Sequence, residues 1–169
     1  MDDSTTHSIG SLPLREGPRP DTGPAMPHQQ LTQNAPPEMQ ERLLARTSGL
    51  AGVTVGSSGV SVPGARAFIL DPTVAKGPPE AFMGGTEFAH LHPPHDGSLH
   101  LTLPEEAVAE VEGTGWGEMH PRARMGQGPR TSVMVFGPRD ELELEVVWGI
   151  LQASYAFAVG SETSAEGAQ

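Results

Sequence analysis

Residues 86–104 hold four of the chain's seven histidines, His90, His92, His95 and His100, and these residue types point to acid–base or metal chemistry. Imidazole changes charge nearest neutrality, and in its neutral form it is the commonest metal ligand. Two runs of alternating residues, 87–92 and 98–103, flank Pro93, Pro94, His95, Asp96 and Gly97, a composition that predicts a hairpin with a five-residue loop. Pairing His92 with Ser98 sets His90 opposite His100. One face then carries Phe88, His90, His92, Ser98, His100 and Thr102, and the other carries Ala89, Leu91, Leu99, Leu101 and Leu103. Directly opposed Cβ atoms stand about 4.5–5.5 Å apart, so three imidazoles can meet around one small volume.

Three uses of such a cluster compete. A metal site would take His90, His92 and His100 as neutral ligands and leave one position open. Against it, Glu87 points to the opposite face in the simple register, and the full spacing of a cupin-type metal motif is absent. A metal-free site would use one imidazole as general base and others as donors to a developing anion. The third use is structural or solvent-facing, which is common for a lone histidine and less so for four within eleven residues. Metal-free catalysis is the preferred expectation, with no cofactor, and the three-histidine metal site is its alternative.

The elements that must position this hairpin are legible in outline. A helix is expected over 37–48, opened by Pro37 and stopped by Gly49. Alternating apolar residues over 52–70 predict strands broken at Gly56, Gly59 and Pro63-Gly64; the Gly-Ser-Ser-Gly at 56–59 is a tight turn, since no Walker pattern or helix follows. Gly84-Gly85 is read as a bulge. A second helix is expected over 104–111, an irregular turn around Trp116 over 115–121, a loop over 122–130, a strand over 132–136, and a long helix opened by Pro138 that lays Val147, Ile150, Leu151, Ser154 and Ala158 on the sheet. Strands followed by helices with no β-α-β repeat give an α+β domain: an antiparallel sheet with a histidine-bearing hairpin, covered by about three helices, its histidine face open. The domain is expected to span 12–159, between disordered tails at 1–11 and 160–169.

Composition narrows the function. The chain has 169 residues, 21 of them Gly and 17 Pro, with 36% apolar residues, which implies a loop-rich single domain. A net charge of −11 and a single lysine, Lys76, argue against nucleic acid as a partner. The absence of cysteine excludes disulfides, zinc-thiolate sites and thiol nucleophiles. No apolar run long enough to span a membrane and no signal-peptide pattern is read in the sequence, so a cytoplasmic location is expected.

The chain resembles the fungal luciferase domain family. The resemblance is carried by Leu12-Pro13, Arg15-Glu16-Gly17, Arg19-Pro20, Glu87, Ala89-His90, His92, His95-Asp96, Leu99-His100-Leu101, Leu103, Gly115-Trp116-Gly117, His120-Pro121, Pro138-Arg139, Glu141 and Ala153-Ser154. It turns residues 12–20, by composition a linker, into part of the domain. The characterised fungal enzyme oxidises a hydroxylated 2-pyrone with molecular oxygen and no separate organic cofactor. For this chain the resemblance implies an oxygen-using, or at least enol-binding, pocket on the histidine face; it does not imply light. The departures are the lack of an N-terminal membrane segment, Pro93-Pro94 in the hairpin loop, and a poor match between Gly49 and Gly85.

Together these readings give a cofactor-independent oxygenase acting on an enolic or pyrone-like small molecule, with a non-catalytic binding module as the alternative use of the pocket. His90 or His100 is the expected base. His92, His95 and His120 would stabilise the anion, and Asp96 would fix a ring tautomer. Glu87, Phe88, Trp116 and Arg139 are candidates for holding substrate, although Trp116 reads first as a core plug.

Overall fold

The computed structural model describes residues 9–23 and 27–161 of the chain; the expected tail positions 1–8 and 162–169 lie outside them. The domain is α+β. Helix α1 (Pro37–Ser48) precedes strands β1 (Val53–Ser57), β2 (Arg66–Leu70), β3 (Glu87–Leu91) and β4 (Leu99–Thr102). Helix α2 (Glu105–Gly113), β5 (Gly117–Met119), the single-turn α3 (Pro121–Arg124), β6 (Ser132–Val135) and α4 (Glu141–Val159) complete it. All strand pairs are antiparallel, and the order across the sheet is β1-β2-β3-β4-β6-β5.

Helices α1 and α4 form where local chemistry favours them. Pro37 starts α1 with Glu38 in its first turn and Arg46 in its last, and the i, i+4 spacing of Met39, Leu43 and Thr47 gives it one buried stripe. Asp140, not Pro138, caps α4: its carboxylate accepts from the Glu143 backbone N–H at 2.9 Å, and Gly160 closes the helix in the left-handed region at φ 79°. By length and composition α4 could cross a bilayer, contrary to the sequence expectation of no such run, yet Leu144, Val147, Leu151, Ser154 and Ala158 are buried and it packs on β3 and β4. Leu91, Leu99 and Leu101 meet the helices from the sheet, fully buried.

Two departures from the simple reading shape the site. The ladder between β2 and β3 is irregular: Phe68 pairs with Ala89 but Ile69 pairs with Glu87, so Phe88 is an extra residue. One extra residue inverts side-chain parity. Glu87 therefore joins His90 on one face, while Phe88 turns to the helix side, fully buried, its ring 6.1 Å from that of Tyr155 on α4. The expected bulge at Gly84-Gly85 is instead a turn, closed by Glu87 N donating to Gly84 O at 3.0 Å, and the bulge itself falls at Phe88.

The histidine face is also not open. Residues 27–34 and the turn after β1 lie over it, leaving His90 and His92 2% and His100 7% exposed. The preceding segment is bound across the domain by Arg15 N to Thr114 O at 2.9 Å, Leu12 N to Glu110 Oε1 at 3.0 Å and Trp116 Nε1 to Pro13 O at 2.7 Å.

The irregular turn expected at 115–121 contains strand β5, whose Gly-Glu-Met carries little strand propensity of its own. Gly117 admits it to the sheet: a Cβ there would stand 2.2 Å from the Met134 carbonyl oxygen. Gly117→Ala is expected to destabilise the domain by about 1–3 kcal/mol through this clash, read as a lower denaturant midpoint at unchanged m-value. An unchanged midpoint would mean that β5 is not held as described.

Candidate active site

His90 on β3 and His100 on β4 are directly opposed, as the hairpin register requires. His92 follows β3 and extends the ladder, its N–H donating to Ser98 O at 2.9 Å. His120 comes from the far side of the sheet, at the end of β5, and caps α3 by accepting from the Arg122 N–H at 3.2 Å. A fifth ring, His28, arrives from the covering segment. That segment is fixed by Gln30 N donating to Asp96 Oδ2 at 3.2 Å, Gly137 N to Gln30 Oε1 at 2.9 Å and Asn34 Nδ2 to Asp96 O at 2.8 Å.

Each outer nitrogen of the cluster meets a fixed partner. His90 Nδ1 lies 2.9 Å from Glu87 Oε1, and His28 Nε2 lies 2.6 Å from Glu118 Oε1. His92 Nδ1 lies 3.1 Å from Asp96 Oδ2 and 2.8 Å from Ser98 Oγ. An ionised carboxylate only accepts, so these three nitrogens carry the ring protons. The carboxylates are held in turn: Glu87 accepts from Ser58 Oγ at 2.7 Å and Gly59 N at 3.2 Å, Asp96 accepts from Ser98 N at 2.9 Å, and Glu118 pairs with Arg19. The Gly-Ser-Ser-Gly turn thus serves to hold Glu87.

The inner nitrogens face one another. His90 Nε2 and His92 Nε2 lie 3.3 and 3.1 Å from His100 Nδ1, and His28 Nδ1 lies 2.9 Å from His100 Nε2. The His120 ring stands 5.1 Å from that of His100 and 5.3 Å from that of His28. Burial pushes His28 down to about 4, with His120 and His92 adding to the effect. Burial first, then the crowd of neighbouring rings, pushes His100 well below the ordinary imidazole value; His90 and His120 are also lowered, chiefly by burial. For Glu87 and Asp96 burial alone would act upward, but their hydrogen bonds outweigh it and hold both below the usual carboxylate range.

Two adjoining cavities open on these rings. One, of about 220 Å³, is bounded by Pro27, His28, Val60, Val62 and His92. The other, of about 400 Å³, is bounded by Phe82, Met83, Thr102, Arg122 and Gln127, and both share Val60, His90, His100 and His120. The larger is of the size that holds small ligands, about 300–1,000 Å³.

The structure brings together His90, His92, His100, His120 and Asp96 of the residues singled out in the sequence. It places others elsewhere. His95 is exposed on the hairpin loop, beyond the turn that carries Asp96 inward, and is absent from the lining of both cavities. Phe88 is core, by the bulge. Glu87 orients His90 rather than facing a substrate. Trp116, 4% exposed, packs in the core and pins the segment at Pro13. Arg139 is bound to Glu143, to Gln33 Oε1 at 3.0 Å and to Glu16 O at 2.9 Å, so it fastens the N-terminal segment instead of a ligand. His28 and Glu118 are the residues that sequence reasoning missed. His28 lies 72 residues before His100 in a stretch without periodicity, and no local pattern marks it.

Residues 85–154, which include four of the five clustered histidines, match the Luciferase domain family. A luciferase of Armillaria gallica is 33% identical over 167 residues, covering 88% of this chain and 62% of the relative. A luciferase of Armillaria ostoyae is 44% identical over 73 residues, 42% of this chain and 27% of the relative, and one of Neonothopanus nambi is 42% identical over a segment of the same length. The chain thus spans less than two thirds of the length of these relatives. No solved structure matches it. Residues 85–154, across the histidine hairpin, thus match a luciferase domain, and the similarity to a fungal luciferase runs through most of the sequence.

Proposed function

We propose that this chain is an enzyme that oxidises an enolic or pyrone-like small molecule with molecular oxygen. The observation that supports this reading is the convergence of five largely buried imidazoles, three of them backed directly by carboxylates, on two adjoining cavities, the larger of which has room for a single aromatic or pyrone ring. The floor of that cavity presents ring-nitrogen lone pairs to which an acidic enol can lose its proton. The resulting enolate carbon gives its electron pair to oxygen, forming a C–O bond and reducing O2 to the peroxide level, and the proton returns to the outer peroxide oxygen; substrate and O2 become one hydroperoxide. His120 is suited to meet the anion. Its Nδ1 accepts from the Arg122 backbone, so its proton sits on Nε2 and is available to an oxygen in the cavity. Apolar Val60, Phe82 and Met83 at the wall limit water around the intermediate.

Oxygen uptake measured against a panel of hydroxy-pyrones and related enols tests the reading. Consumption of about one O2 per substrate, with an oxidised product by mass spectrometry, is expected. Tight binding of panel members with no oxygen uptake and no chemical change would replace the enzyme with a binding module.

A further inference from the structure

Three outer N–H groups leave the inner nitrogens of the cluster one positive charge short. With the Nδ1 protons of His90 and His92 directed at Glu87 and Asp96, both Nε2 atoms carry lone pairs toward His100 Nδ1. With the Nε2 proton of His28 directed at Glu118, its Nδ1 lone pair faces His100 Nε2. A neutral His100 has a single N–H to serve both sides. If it donates to His28, three lone pairs converge unshared; if it turns to His90 or His92, two lone pairs oppose each other across 2.9 Å at His28. Buried lone pairs in that arrangement call for a cation between them.

We infer that His90 Nε2, His92 Nε2 and His100 Nδ1 bind a divalent first-row transition ion. The spacing fits: nitrogens about 2.0–2.1 Å from a tetrahedral ion stand roughly 3.3 Å apart, against 3.3 and 3.1 Å here. The surroundings fit as well, because ligating histidines characteristically give their other N–H to a carboxylate or similar acceptor. His90 gives its proton to Glu87, His92 to Asp96, and His100 to His28, which passes the same demand to Glu118. Glu87, which in the unbulged register points away, therefore supports the site. Three imidazoles without thiolate suit zinc, copper, iron or nickel rather than magnesium or calcium. A second group, His28, His100 and His120, also gathers its ring nitrogens. It is the poorer site, since the Arg122 N–H occupies His120 Nδ1 and leaves the ring proton on the nitrogen that would have to ligate. The 220 Å³ cavity adjoins the preferred point, since its lining includes all three ligands. The ion would stand where an enolate oxygen needs a counter-charge, but its binding does not depend on the proposed oxidation.

Full-length protein made without a histidine tag, stripped by chelator and titrated with Co2+, tests the site by its visible d–d absorption. One equivalent in a nitrogen-rich, low-symmetry field is expected, displaced by Zn2+, together with a raised melting temperature. His92→Gln and His100→Gln are expected to abolish that spectrum. Asp96→Asn should weaken binding about 10- to 100-fold, and His95→Ala should bind as the parent does. If the parent takes up no Co2+, or if folded His92→Gln and His100→Gln proteins bind it unchanged, the inference fails. It also fails if 15N spectra of metal-stripped protein at neutral pH show both His100 nitrogens protonated and added Co2+ leaves them so. Oxygen uptake separates this from the functional reading: full turnover by stripped, metal-refractory protein removes the metal and keeps the enzyme, whereas stoichiometric metal without turnover does the reverse.

Discussion

His90→Ala is expected to lower the rate of oxygen consumption by about 10²- to 10⁴-fold, the usual cost of removing a group that handles the transferred proton, while the protein stays folded and still binds the pyrone-type ligand. Glu87 keeps its bonds from Ser58 and Gly59 when the ring is gone, so the truncation does not strand an unsatisfied carboxylate. His90 also lines both cavities, and its loss removes the lone pair at their shared floor whether a proton or an ion is its counterpart. His100→Ala should lose rate to a similar extent but fold less well, because His100 is the ring that His90, His92 and His28 all touch. His95→Ala should run at the parent's rate. The check is oxygen uptake per folded molecule, with folding followed by circular dichroism. If His90→Ala kept the parent's rate, the hairpin face would be structural and the site would lie elsewhere.

Trp116→Ala is expected to produce the largest loss of stability, about 3–5 kcal/mol from emptying a buried aromatic site, or roughly 6–20 °C in melting temperature for a domain of this size. Beyond the cavity, the substitution removes the bond from Nε1 to Pro13 O that ties the N-terminal segment to the sheet. Trp116→Phe keeps most of the volume and loses mainly that bond, about 1 kcal/mol. Neither change should move KM per folded molecule, since Trp116 belongs to the core cluster and lines neither cavity. A raised KM at unchanged stability would return Trp116 to the substrate wall.

The hairpin, its register and the buried leucine face were legible because they depend on local signals: period-two alternation, a Pro-Pro-His-Asp-Gly loop and the pairing those fix. Helix α1 was legible for the same reason, through its proline start and glycine stop. What escaped were non-local effects. Parity at Phe88 follows from the pairing of β2 with β3, and no residue in 86–104 announces it. Strand β5 exists because β6 offers an edge to Gly117, not because Gly-Glu-Met prefers to extend. His28 enters the site through Gln30 and Asn34, whose partners are Asp96 and Gly137, remote in sequence. Alternation also assigned the histidines to an open face, since a period of two cannot tell solvent from a covering segment.

The strand order carries a consequence for synthesis. Strand β6, made after β4 and β5, inserts between them. Until Ser132–Val135 has emerged, the backbone of His100 and of the apolar Leu99 and Leu101 has an unpaired edge, and β5 has no strand to pair with. An exposed apolar edge of that kind recruits other chains. A nascent chain stalled before β6 has emerged would therefore be a sticky intermediate without a site, so slow translation through 103–131 should cost yield of soluble protein.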